Sequence, residues 1–211
     1  MTGPARAPYI VAEGIDGAGK STLLRALAAR WTARGWTVRL RSEPADPALG
    51  AEAARRSGDD PMESALAFTL DRARAAPGLR ADLRSPGIVL QDRSFYSTLA
   101  YQGAALPPPA RAAVARLQRL VTPLPDRVLW LDVPVREALD RMERRGAPRA
   151  PLERRTTLDR VRREYGRLCR PPRWIRLDAR PDPERLAERA DRSLAGFLAR
   201  RAPPDRPGRS G

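Results

Sequence analysis

Tyr9-Ile10-Val11-Ala12-Glu13-Gly14-Ile15-Asp16-Gly17-Ala18-Gly19-Lys20-Ser21-Thr22-Leu23-Leu24 decides how the 211 residues fold. Its first residues make a short apolar run suited to a buried strand, and its last residues resume apolar positions at helical spacing. Between them, residues 14–21 fit G-x-x-x-x-G-K-[ST] residue for residue. Strand, glycine-rich turn and helix start are the context of a phosphate-binding loop. Gly17 and Gly19 allow the backbone to turn tightly with its N–H groups converging, and the helix start adds about half a positive charge. Residues 14–22 then cradle the phosphates of a nucleoside triphosphate. Lys20 reaches the β and γ oxygens, and the Ser21 hydroxyl is a magnesium ligand.

The chain has 40 Lys plus Arg against 25 Asp plus Glu, no His, and a formal charge of +15. Only one of those 40 cations is lysine, and it is Lys20. The arginines are spread over helix faces, loops and tail, which reads as a compositional bias that replaced lysine wherever either cation serves. No specific nucleic-acid face is expected from such dispersion. Lys20 stays lysine because a compact ammonium can bridge two phosphates inside the loop, where a guanidinium fork is too wide. The single Cys169 excludes an internal disulfide and a thiolate zinc cluster, and the lack of His excludes an imidazole catalyst. Any general base must be a carboxylate. Apolar stretches such as 128–131 and 88–90 fall far short of the ~20 residues that span a bilayer. Residues 1–8 lack the apolar region of a signal peptide. The expectation is a cytoplasmic protein with no membrane partner, and 42% hydrophobic residues exclude disorder throughout.

Working outward, Gly35 is placed to cap the first helix, and residues 36–40 alternate as a second strand. Pro44 and Pro47 start a loop. Asp59-Asp60-Pro61 opens a helix that Pro77-Gly78 interrupts, with a short helical piece to Leu83. Residues 87–92 read as a third strand closing on Asp92, and residues 97–102 as a helix. Residues 110–121 form a helix with Val114, Leu117 and Leu120 on its apolar side. Residues 128–132 make the fourth strand, Pro134 opens a helix to Gly146, residues 157–168 make another, and 174–177 are the fifth strand. A last helix covers 183–198. Strands alternating with helices predict an α/β fold: a five-stranded parallel sheet flanked by helices in three layers, with ligands at the carboxyl ends of the strands. One domain is expected over residues 1–200, followed by a disordered tail at 201–211. Asp92 ends its strand where P-loop proteins place the carboxylate that holds magnesium, and Arg93 follows it.

Four segments together resemble the thymidylate kinases of the nucleoside monophosphate kinase group. They are residues 13–22; Phe68-Thr69-Leu70-Asp71-Arg72; Asp92-Arg93 with Ser97, Ala100-Tyr101-Gln102-Gly103; and Leu131-Asp132-Val133-Pro134 with Ala138-Leu139 and Arg145-Gly146. The resemblance runs from about residue 9 to residue 198. It implies a P-loop kinase fold with a mobile lid at about 144–155, and transfer of the ATP γ-phosphoryl group to dTMP with Mg2+, giving dTDP toward dTTP. The resemblance further implies a homodimer. It assigns Phe68 to stacking on thymine, Arg72 to the carbonyl edge of the base, and Asp16 to the deoxyribose 3′-OH. Tyr101 would crowd the 2′ position, Ser97 and Gln102 would make polar contacts around the base, and Arg93 would hold phosphates.

The chain departs from the family pattern in three places. Ser42-Glu43-Pro44-Ala45-Asp46-Pro47 stands where an arginine-bearing Arg-Glu-Pro-Gly-Gly-Thr is usual, which leaves Glu43 as either a magnesium or an acceptor-site carboxylate. Ala150-Pro151 stands where an Asp-Arg pair is usual, so the transition-state cation is left among Arg145, Arg149 and Arg154, with Arg145 and Arg149 as the candidates. Ser94 replaces a tyrosine. The alternative readings are a kinase for another nucleoside monophosphate, or a non-enzymatic ATP-binding module associated with nucleic acid.

Overall fold

A computed structural model describes residues 6–57, 59–144, 146 and 155–201. Five parallel strands, β1 (Tyr9–Glu13), β2 (Val38–Ser42), β3 (Ile88–Asp92), β4 (Arg127–Asp132) and β5 (Trp174–Asp178), form one sheet in the order β2-β3-β1-β4-β5. Parallel neighbours need long crossovers, which the helices supply. These are α1 (Lys20–Ala33), α2 (Pro47–Arg56), α3 (Pro61–Arg84), α4 (Phe95–Tyr101), α5 (Pro108–Val121), α6 (Val135–Glu143), α7 (Arg155–Leu168) and α8 (Pro183–Ala199). Every residue of β1 is buried, so both faces of the sheet are covered, as the α/β expectation requires. No helix among the described residues is long and apolar enough to cross a membrane.

The chain leaves β1 for the edge strand β2, returns to β3 beside β1, and crosses to β4 on the other side. This makes the carboxyl ends of β1, β3 and β4 the switch point where a crevice opens. Register fixes what meets there. Ala12 and Ser42 both stand opposite Asp92, and the Arg93 N–H donates to the Ala12 carbonyl at 3.0 Å. The core beneath is built on Ile10, Val11, Leu90 and Leu129, with Trp31 of α1 wholly buried. Trp31 Nε1 donates to Asp191 on α8 at 2.9 Å, and Arg34 pairs with the same carboxylate.

Helix α1 ends as expected. Gly35 has φ +90°, its N–H donates to Thr32, and the Trp36 N–H reaches back to Trp31. This cap absorbs Trp36, so β2 runs over Val38–Ser42 and not over 36–40.

Three further expectations are corrected. Residues from Pro47 onward form α2, not a loop. Asp46 accepts from the N–H groups of Ala48 and Leu49, and Pro47 fits a first helical turn. Pro77-Gly78 does not interrupt α3. Ala73, whose carbonyl loses the proline's missing donor, lies on the solvent side with Pro77, while Ala76, Leu79 and Leu83 stay buried and carry the helix through. In α5 the inward residues are Val114 and Gln118, while Leu120 is 73% exposed.

Candidate active site

The loop after β1 has the shape its sequence demands. Gly14, Gly17 and Gly19 have φ of +145°, +79° and +96°, which side chains rarely adopt. A Cβ at Gly17 would also stand 2.3 Å from the Ala138 carbonyl of α6, so no larger residue fits. Lys20 opens α1 and is buried. Its Nζ donates to the Gly14 carbonyl at 3.1 Å and the Ile15 carbonyl at 3.0 Å. Burial, reinforced by the charge of Arg93, lowers its pKa to about 8.

The Ser21 hydroxyl donates to Asp92 Oδ2 across the sheet edge, joining the loop to the end of β3. The other oxygen, Asp92 Oδ1, is buried without a hydrogen-bond partner. A hydroxyl beside a carboxylate with a free, buried oxygen is a hard-oxygen donor set of the kind that holds magnesium together with substrate phosphates. Among the described residues no group of three His, Cys, Asp or Glu could hold a metal by protein ligands alone.

Two cavities flank Arg93. The first, about 220 Å³, is lined by Asp16, Glu43, Phe68, Arg72, Arg93, Ser97, Tyr101 and Gln102, together with Pro44, Gly50, Ala54 and Thr98. The sequence-expected acceptor residues thus come together in one place. Phe68 is half-buried there and belongs to neither apolar core cluster, so its ring is a wall of the cavity. Arg72 lies beneath, its Nε and Nη2 donating to Glu43 Oε2 at 2.9 and 2.6 Å and its Nη1 to Gln118 at 2.6 Å. The Tyr101 hydroxyl donates to Asp16 Oδ2 at 2.8 Å, and Arg93 lies 5.3 Å from the Tyr101 ring centroid. Burial pushes the Asp16 carboxyl up, but Arg93 and Lys20 outweigh it and hold the pKa below the usual value.

Two expected contacts are otherwise engaged. Gln102 Nε2 donates to Ser57 at 2.8 Å, tying α4 to the end of α2. Ser97 Oγ accepts from Arg93 Nη1 at 3.1 Å and donates to Glu13 at 2.7 Å.

The second cavity, about 510 Å³, is lined by Asp16, Gly17, Gly19, Lys20, Ser21, Thr22, Arg25, Ser42, Glu43, Asp92 and Arg93. Polar walls and converging cations suit it to phosphates. Arg41, next to Ser42, faces away and pairs with Asp82 at 2.6 Å. A third cavity, about 190 Å³, lies on the other flank of the loop, against Gly19, Thr22, Arg141 and Arg180. Arg145, Arg149 and Arg154 lie outside the described residues, as do Ala150-Pro151 and the tail from residue 202.

The family model described as thymidylate kinase matches residues 12–190. The chain belongs to the thymidylate kinase family. The thymidylate kinase of Thermosynechococcus vestitus is 33% identical over 225 residues, covering 94% of this chain and 91% of the relative. The thymidylate kinase of Xanthomonas campestris pv. campestris is 35% identical, covering 91% and 85%. The probable thymidylate kinase of Natronomonas pharaonis is 34% identical, covering 90% and 99%. In this member of the thymidylate kinase family the two cavities adjoin and share Asp16, Glu43 and Arg93.

Sequence reasoning missed several residues in and behind this candidate site. Gln118 was masked by the apolar residues around it in α5. Pro44, Gly50 and Ala54 were hidden by the reading of α2 as a loop, although Asp46-Pro47 repeats the signature of Asp60-Pro61. Arg25 lies one helical turn beyond Ser21, and among the described residues it makes no hydrogen bond or ion pair; nothing in its local sequence marks it. Glu13 begins the family-like segment 13–22 and ends a strand, but nothing in the sequence gives it a role of its own.

Proposed function

We propose that the protein transfers the γ-phosphoryl group of ATP to the 5′-phosphate of dTMP, forming dTDP for dTTP synthesis. One observation carries this reading: the base cavity and the phosphate cavity share Asp16, Glu43 and Arg93. A nucleotide whose base lies against Phe68 and Arg72 therefore presents its phosphate to the P-loop. Neither a bare ATP-binding module nor a nucleic-acid partner has need of that arrangement.

The roles follow from position. The loop N–H groups and Lys20 hold the donor phosphates, and the third cavity beside Arg141 takes the donor nucleoside. Arg93 bridges to the acceptor phosphate, and Arg72, held by Glu43 and Gln118, presents a fixed guanidinium to the carbonyl edge of thymine. The Tyr101 ring, fixed by Asp16, occupies the space a 2′-hydroxyl needs. Phosphoryl transfer asks for positioning and charge neutralisation more than for covalent help, so the absence of His costs nothing. Ser21 and Asp92 are the residues suited to hold Mg2+, which supplies charge neutralisation on the phosphates when bound. Arg145 or Arg149 is the expected further cation over the transferred group.

The assembly is a homodimer in this reading. Leu66, Leu70, Ala73 and Pro77 recur along the exposed face of α3 at spacings of four, three and four, and Leu66 and Leu70 are 48% and 46% exposed. Residues 1–200 act as one catalytic domain in the cytoplasm.

The test is a panel of monophosphates with ATP and Mg2+, read as ADP release. dTMP should turn over fastest, and faster turnover of CMP, UMP or dCMP would replace this reading with a kinase for another monophosphate.

A further inference from the structure

Glu13 ends β1 immediately before the P-loop, is 0% exposed, and touches neither substrate cavity. A buried carboxylate that takes no direct part in the chemistry still needs an explanation, because burying its charge is costly unless every lone pair is used. Here they are used. Glu13 Oε1 accepts from the Ser94 N–H at 2.8 Å and the Ser94 hydroxyl at 2.7 Å. Oε2 accepts from the Ser97 hydroxyl at 2.7 Å and the Tyr165 hydroxyl of α7 at 2.9 Å.

These partners surround Arg93. Arg93 has φ +69° and is the one described non-glycine residue in the left-handed region, a conformation that costs on the order of 1–3 kcal/mol. Ser94, the next residue, is fixed at both N–H and hydroxyl by Glu13, so the chain leaving Arg93 has one direction. An ionised carboxylate accepts only, so the Ser97 hydroxyl must donate into it. The Ser97 lone pairs are then left toward Arg93 Nη1, which donates to them at 3.1 Å.

We propose that Glu13 is a positioning residue. Its buried carboxylate holds Arg93 in its strained backbone through Ser94 and aims the guanidinium into the phosphate cavity through Ser97, with Tyr165 anchoring the same oxygen from α7. The proposal rests on Arg93 receiving the acceptor phosphate, as in the functional reading above.

The experiment separates the phosphate from the rest of the ligand. Binding of dTMP and of thymidine, which lacks the phosphate, is measured by calorimetry on the full chain, wild type and Glu13→Gln. A carboxamide keeps the volume but brings two donors into a group of donors. The expected result is dTMP binding weakened about tenfold and thymidine binding within twofold of wild type, with the same pattern in Arg93→Ala. Adding Glu13→Gln to Arg93→Ala should then weaken dTMP no further. A merely structural role would weaken both ligands alike, and that result overturns the proposal, as does unchanged dTMP affinity. Where Glu13→Gln does not fold, Ser97→Ala removes the hydroxyl that joins Glu13 to Arg93 while leaving the carboxylate and its bonds to Ser94 in place, and is held to the same two ligands. Failure of the wild type to bind dTMP at all would count against the functional reading instead, so the two failures are distinguishable.

Discussion

Lys20 shows how much one side chain's surroundings decide. Its ammonium, packed against the Gly14 and Ile15 carbonyls, has a pKa of about 8, well below an ordinary lysine, chiefly through burial. The cation is the form that binds phosphate, so it is present below that pKa and lost above it. kcat/KM for ATP, which reports the free enzyme, should bend downward above about pH 8. Bound phosphates favour the charged form, so the bend in kcat should lie at higher pH. Lys20→Arg should lower kcat by about a hundredfold or more with an unchanged melting temperature, because the fork cannot enter the loop. At this scale the P-loop, Asp92-Arg93 and the lining of the base cavity were legible, since motif spacing fixes them. Gln118 and Glu13 were not. A buried polar residue is recognisable only by its partners, and those of Gln118 (Thr69 and Arg72) lie on another helix.

Among the elements, α3 is the informative one. It positions Phe68 and Arg72 four residues apart on one face and continues through Pro77 because its buried residues outweigh one missing hydrogen bond. Pro77→Ala restores that donor and should raise stability by about 1–2 kcal/mol, read by chemical denaturation. The reverse sign is expected for Gln118→Leu. That change leaves a buried guanidinium N–H and the Thr69 hydroxyl short of a partner, costs about 1–3 kcal/mol, and loosens Arg72, which raises KM for dTMP. The strands were legible from apolar runs, and most helices from spacing. Helix α2 was not, because two prolines outweighed the Asp46 cap. The span of β2 was missed because the cap around Gly35 takes up Trp36.

For the whole molecule, alternation of strands and helices foretold a parallel sheet, whereas the order β2-β3-β1-β4-β5 depends on crossovers that periodicity does not encode. Charge is likewise a property of the whole. The +15 is the excess left when the 25 carboxylates are set against the 40 cations, and it is dispersed; ion pairs such as Arg162 and Arg176 with Asp132 do not reduce it. Any affinity for duplex DNA should therefore fall by about a hundredfold or more between about 50 and 200 mM salt, as counterion release dictates. Assembly is tested on the α3 face: Leu66→Glu with Leu70→Glu should give a monomer by light scattering. If the wild type is already a monomer, the homodimer reading fails.

A chain whose lone ε-amine lies inside its phosphate cavity carries its own reporter. Near pH 8 Lys20 exists substantially as a free base, while an ordinary surface lysine would be almost wholly protonated. A small amine-directed reagent therefore has one internal target, and ATP should shield it. The fraction labelled at Lys20, read on the peptide that contains it so that the α-amine is counted apart, would then report nucleotide occupancy with no engineered tag or dye.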